Sequence, residues 1–311
     1  MKKNFITFSI LFIFFLMLAK MDITKEYALK GLNLWLYSIL PTLLPYTIIS
    51  SLLLYTNSFS KPLSIFKRFT KLTFNENIPL IIICGIFCGC PIGAKLANDA
   101  YKTYKIDKRM ATFLIYALSN LSPAFIINFA LPSVLSINMR IAIFVYIIIS
   151  NIISSYIIVK LLHIPKTYIS THNSSYKNKN FISDSNNCLN DILENCILSS
   201  LIIQSKIGGY IIIFSCVSGL FIQTLRLSPH LSLIFNSSLE ISSGLGTYNV
   251  FPIVPHYIAL IAMLTSFGGI CTICQVFSCM KDLDIPNKNL IYSKVLSSFL
   301  TYVVIFFIIL V

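Results

Sequence analysis

Long apolar runs alternate with short polar stretches along this chain, and the lengths of the runs decide how it is read. A helix that crosses a bilayer needs about 20 apolar residues. Runs of suitable length cover 5–19, 31–55, 110–131, 141–162, 192–225, 231–257, 258–280 and 290–311. The pattern predicts an all-α, polytopic membrane bundle of about eight spans, some broken or re-entrant. The run 192–225 is too long for one span and is expected to divide at Gln204–Gly209; 290–311 reads as a clean final span.

One run breaks the pattern. It starts at Ile78 and ends in Gly85-Ile-Phe-Cys-Gly-Cys-Pro-Ile-Gly93, with three glycines, two cysteines and a proline in nine residues. Lys95, Asn98 and Asp99 follow while the chain should still be at membrane depth. Proline removes a backbone donor and clashes with the preceding turn. Irregular backbone persists in a bilayer only inside protein or beside water, and ionisable groups there are functional candidates. Two readings stand: an interfacial helix end, or a re-entrant segment lining a site. Charge favours the second. Loop 57–77 carries Lys61, Lys67, Arg68 and Lys71, and loop 99–109 holds four basic and two acidic residues. Basic loops prefer the cytoplasm, and only a hairpin between them keeps both there.

Other runs are interrupted as well. Pro41 and Pro45 are expected to kink or break 31–55. Ser119-Asn-Leu-Ser-Pro123 sits within 110–131, Glu240-Ile-Ser-Ser-Gly-Leu-Gly246 within 231–257, and Ser266-Phe-Gly-Gly269 with Gln275 within 258–280. The expected organisation is an N-terminal span and hinge (1–27), a first half (28–163), a polar cytoplasmic linker (164–190) and a second half (191–311). Gly89–Lys108 can be laid without a gap on Gly268–Asn287, with Ile106-Asp-Lys against Ile285-Pro-Asn. An odd number of crossings between the halves would make the repeat inverted, and interrupted segments in matching halves point to a transporter core with a midplane site.

Composition agrees: 56% of residues are hydrophobic, 11% charged, and mean hydropathy is +0.80. Soluble domains carry about a quarter charged residues. The net charge of +13 lies in short loops. It therefore signals topology and contact with anionic lipids, with no nucleic acid partner. No phosphate-binding glycine loop is present, and no cofactor or metal is called for. The nine cysteines mostly sit in apolar context as small packing residues. His163, His172, His230 and His256 are scattered, so no enzyme is expected.

The motifs also carry a resemblance. Gly89-Cys-Pro-Ile-Gly-Ala-Lys95 resembles the Gly-x-Pro-x-Gly-Ala-Lys signature of YlbJ-type sporulation integral membrane proteins, in the wider group with a Gate or nucleoside-recognition domain. Ser119–Pro123, Glu240–Gly244, Ser266–Gly269 and Gln275-Val276 are similar to further motifs of that family, and the resemblance spans most of 28–310. Cys90 stands where an aromatic residue is common. The resemblance implies a multi-pass protein of the cell membrane of an endospore former, in the mother-cell or forespore membrane, needed for spore formation and transporter-like.

On that basis the expected function is carriage of a small polar or anionic solute or ion. Lys95 would supply positive charge, and Asn98, Ser119, Asn120 and Ser122 hydrogen bonds. Gly89, Pro91, Gly93, Gly268 and Gly269 would open the backbone. Glu240 and Gln275 would complete the site, with Glu240 carrying a proton or cation or pairing with Lys95. A homo-oligomer, a non-transporting scaffold for spore cortex or coat assembly, and a metal-ion permease like the FeoB ferrous-iron transporter remain open.

Overall fold

The computed structural model describes residues 2–56, 78–103, 105–167, 189–225, 227–245 and 254–310. Loop 57–77, linker residues 168–188 and Gly246, all named in the expectations above, lie outside the described residues. Every regular element among the described residues is helical.

Helix α1 (Lys2–Ala19) turns Phe8, Phe12, Phe14 and Phe15 outward; Phe8 is 69% exposed. Helix α2 (Met21–Asn33) runs through a π-helical stretch, Leu34–Ile39, directly into α3 (Leu40–Tyr55). The charged stretch 25–30 is therefore helical, and Lys30 reaches Glu26 one turn back at 2.6 Å. Pro41 and Pro45 do not break the helix. The wider π turn ahead of Pro41, closed by Leu40 N–H donating to Trp35 O, takes up the crowding that the ring would impose. The hydroxyls of Thr42 and Thr47 donate to carbonyls of the same stretch.

Helices α4 (Ile78–Cys88) and α5 (Ile92–Lys102) fold back on each other. A Cβ added at Gly93 would stand 2.9 Å from Gly85 Cα, eight residues away in sequence, so the chain reverses at Gly89–Pro91. Each helix is about 16 Å long at 1.5 Å per residue, half the hydrocarbon thickness. Helix α6 (Lys108–Ala117), capped by Asp107, ends at Leu118. After the break at 118–122, α7 (Pro123–Phe125), capped by Ser122, continues as a π turn to Ala130. Helix α8 (Ile137–Leu161) closes the first half.

The second half opens on α9 (Leu189–Leu225), which is continuous. The polar group at 204–209 does not divide it, because each residue has its own solution. Gln204 is buried, Lys206 is exposed, and Gly208 leaves room for the Trp35 ring, whose Nε1–H donates to Gln204 O at 3.0 Å. Helices α10 (Pro229–Leu239) and α11 (Ile241–Leu245) also fold back, since a Cβ on Gly244 would collide with Ser237. Helices α12 (Pro255–Phe267) and α13 (Gly269–Cys279) continue one another across Gly268, and α14 (Asn287–Leu310) follows.

Among the described residues five helical stretches are long and apolar enough to cross a membrane: Met21–Tyr55, Ile137–Leu161, Asn190–Leu225, Pro255–Cys279 and Asn287–Ile309. The chain thus has the make-up of a multi-pass membrane protein. The Pro255–Cys279 window is 72% buried against 17% for Met21–Tyr55, which puts the broken segment at the centre. The halves interlock there: α9 packs on α2 and α3, and α14 packs on α8 and α12.

In both halves a long helix comes first, then a folded-back pair, then a broken helix, then another long one. That order sets Gly89–Pro91 against Leu239–Ile241 and 118–122 against Gly268. The gapless overlay of Gly89–Lys108 on Gly268–Asn287 follows a different register. It matches a glycine break, a short helix and a turn, but α6 then breaks again where α14 runs on.

Candidate functional site

Within each half the two breaks touch. Cys90 N–H donates to Asn120 O at 2.6 Å, and a Cβ at Gly89 would lie 2.6 Å from Ser122 N. In the second half a Cβ at Gly269 would lie 3.1 Å from Ser237 O and 3.2 Å from Leu239 O. Gly89, Gly268 and Gly269 have φ of 73°, 81° and 82°, where a side chain is strained. The halves meet through α5 on α13, with Cys90 Sγ 3.8 Å from Thr272 O. Backbone groups left over by four interruptions are thus gathered in a protein interior and kept from the lipid. Pro91 and Gly93 lie buried at this junction.

Lys95 projects from α5 and is 5% exposed. Its Nζ donates to Ser51 Oγ at 2.7 Å and Ser199 Oγ at 3.4 Å, bridging α3 and α9. Thr47, Ser50, Ser200 and Gln204 extend this patch, and Ser200 Oγ and Gln204 Oε1 are buried with no hydrogen-bond partner. Among the described residues no carboxylate lies within ion-pair distance of Lys95.

Glu240 is buried more deeply still, at 3% exposed. Its carboxylate accepts from Ser242 N and Ser243 N at 3.0 and 2.7 Å, capping the short turn that follows it. It makes no contact with Lys95, so the expected pairing is replaced by two separate environments. A glutamate at a helix start gains backbone donors and the positive end of the dipole, which removes the need for a distant cation. Gln275 donates to Cys271 Sγ at 3.4 Å. Ser119 bonds to Ile115 O, and Asn120 Nδ2 to Ala117 O at 2.8 Å, leaving Asn120 Oδ1 buried without a partner.

Asn98 ties the halves together at one end of the bundle. Its Nδ2 donates to Asp282 Oδ2 at 2.8 Å, which Lys102 also meets at 2.9 Å, while Lys108 donates to Asp284 O at 3.1 Å. Asn98 Oδ1 remains without a partner. Partial burial raises the Asp282 carboxyl, but the Asn98 and Lys102 bonds outweigh it and hold it below its ordinary value. A depressed folded pKa stabilises fully above the unfolded value, about 4, and the contribution is lost as pH falls through the folded value. The thermal midpoint of the wild type should therefore fall below about pH 4, and Asp282→Asn should flatten that limb; scanning calorimetry from pH 3 to 7 measures both.

A further group escaped the sequence reading. Lys294, on α14, is 1% exposed. It lies seven residues into the helix, about 10 Å from its start. Its Nζ donates to Asn151 Oδ1 at 3.1 Å and Ser266 O at 3.4 Å. Ser154, Ser155, Ser293, Ser297 and Thr301 are buried around it. The run 290–311 is thus not a clean span: Ser293, Lys294, Ser297 and Thr301 recur at helical spacing and form one polar stripe. Cys90 is the thiol whose charge would couple to Lys294, so this cluster adjoins the first-half break.

All eight described cysteines are free, and among the described residues no three His, Cys, Asp or Glu side chains converge as a metal site would need. A groove of about 320 Å³ beside Tyr210, Phe277 and Asp284 shares no residue with the buried polar centre, so its size does not make it the site. No protein-family model, curated protein or solved structure matches the chain.

Proposed function

We propose that this protein is a carrier of a small polar or anionic solute across the bacterial cell membrane. The observation that carries this reading is Lys95: a buried cation whose hydrogen bonds go to hydroxyls alone, with the Asp99 carboxylate one turn along α5 as the charge that couples to it, next to the junction of broken helices from both halves. A charged side chain at membrane depth costs about 2.5–3.5 kcal/mol on insertion scales. A cation kept there without a direct ion pair suits a partner that arrives from outside. The partnerless oxygens of Asn98, Asn120 and Gln204 would accept hydrogen bonds from the same solute.

The repeated order of folded-back pair, broken helix and long helix supports an inverted repeat in which the shorter elements add to the five long ones, giving about eight passages. Such a frame can rock about a fixed central site. The place in spore formation rests on the Gly89–Lys95 and Ser119–Pro123 motifs alone. A non-transporting scaffold would have no use for a buried cation that no carboxylate pairs with directly.

The test is ligand-dependent stability. Purified protein is heated with a panel of small organic anions and with neutral polar solutes of similar size. A ligand at a hundred times its Kd adds about 2.7 kcal/mol to the folded state, so at least one anion should raise the midpoint in proportion to the logarithm of its concentration. If none does, and no neutral solute does, the carrier reading fails.

A further inference from the structure

We propose that Lys294 carries the exchangeable proton that drives this carrier, its ammonium filling an oxygen site that would otherwise suit a sodium ion. The inference rests on the carrier reading for the word "drives", but the site itself stands on geometry.

The oxygens that meet Nζ are those that alkali cations take: an amide oxygen from Asn151 and the backbone carbonyl of Ser266. Ser266 lies in the last turn of α12, just before the left-handed Gly268, where the carbonyls carry the negative end of the helix dipole. Around them, Ser266 Oγ accepts from Asn151 Nδ2 at 3.3 Å and from Thr301 Oγ1 at 3.2 Å, and Ser293 approaches Ser154 at 3.4 Å. Each of these hydroxyls has an oxygen to offer, and none adds a formal charge. A tethered ammonium in such a cage is a built-in monovalent cation.

The cage joins three elements, α8, α12 and α14, and two of them move relative to each other if α12 hinges at Gly268. Loss of the proton removes what holds them. In that step an N–H bond breaks, the electron pair stays on Nζ, and the proton goes to water. The titratable groups turned toward Lys294 are few among the described residues. Cys90, at the first-half break, is the one whose charge would couple to it. Tyr116, on α6, which packs against α14, ends in a buried hydroxyl without a partner. Neither α8 nor α12 sends it a carboxylate within ion-pair distance.

The test has two arms. The first compares thermal midpoints in sodium chloride and choline chloride at equal ionic strength. Wild-type protein should not distinguish them, whereas Lys294→Ala, with the cage emptied, should be stabilised by sodium by at least about 2 °C. A folded Lys294→Ala that ignores sodium overturns the proposal. So does failure of both Lys294→Ala and Lys294→Gln to fold in sodium, because a replaceable cation is not needed for the fold. The second arm follows vesicle uptake of a labelled organic anion that stabilises the wild type. A pH gradient should accelerate wild-type uptake at least tenfold and leave Lys294→Gln unchanged; a sodium gradient that does the same for the wild type overturns proton drive. If no solute moves while the sodium response appears, the cation site stands and the carrier reading falls.

Discussion

Gly89→Ala should abolish folding of the protein. The residue has φ of 73°, and an added Cβ would lie 2.6 Å from Ser122 N, 2.9 Å from Asn120 O and 3.0 Å from Leu121 C. Left-handed backbone costs a residue with a side chain about 1–2 kcal/mol. The contacts add more, because all three partners are backbone atoms and cannot rotate away. The neighbouring bond from Cys90 N–H to Asn120 O, which joins the two first-half breaks, would be pushed apart. The sum is several kcal/mol, in the range where single substitutions unfold marginal proteins. Gly209→Ala is the control, since nothing lies within 4 Å of its added Cβ. Size-exclusion profiles of detergent-solubilised protein should show aggregate for the first and a wild-type peak for the second. A monodisperse Gly89→Ala would mean that the two breaks do not meet as described.

The fold class was legible because lipid imposes a simple rule: long apolar runs become helices. The fold-back at Gly89–Pro91 was legible too, since glycine, proline and flanking basic loops all disfavoured a straight crossing. Sequence alone erred where a polar or proline residue has a purely local solution. Pro41 is accommodated by a π turn, Gln204 turns into the protein, and Gly208 seats Trp35. None of these is visible without the neighbour.

The site was legible only in part. Lys95 announced itself within a disrupted segment. Lys294 did not, because its span is otherwise strongly apolar and one lysine hardly changes a window average. The usable signal was spacing, with Ser293, Lys294, Ser297 and Thr301 on one face, answered by Asn151, Ser154 and Ser155 on α8. Glu240 drew attention as a membrane carboxylate, yet its charge is met by two backbone donors three residues or fewer away. Asn98 read as a ligand; its Nδ2 ties α5 to Asp282, and its Oδ1 stays buried without a partner.

Lys95→Met is the second large effect expected, and it separates binding from folding. Methionine keeps most of the side-chain volume and removes the charge. Ser51 Oγ and Ser199 Oγ lose a donor but can turn to backbone carbonyls, as Ser199 already does toward Cys196 O at 3.1 Å. Asp99, one turn along α5, loses one nearby cation but keeps Lys102, and this loss is offset because the buried Lys95 charge no longer carries a desolvation cost. The thermal midpoint should therefore stay near that of the wild type. Binding should suffer instead. A hydrogen bond to a charged group contributes about 1.5–3 kcal/mol, and a buried ion pair broken from one side costs about 3–5 kcal/mol. Loss of affinity for an anion should accordingly reach about a hundredfold or more.

The most direct measurement is uptake of a labelled small organic anion into vesicles reconstituted with wild-type or Lys95→Met protein, with empty vesicles as the baseline. The account predicts saturable uptake by the wild type and uptake at the baseline for Lys95→Met, with both proteins equally folded. Equal uptake by the two proteins, or none by either across the anion panel, would contradict it.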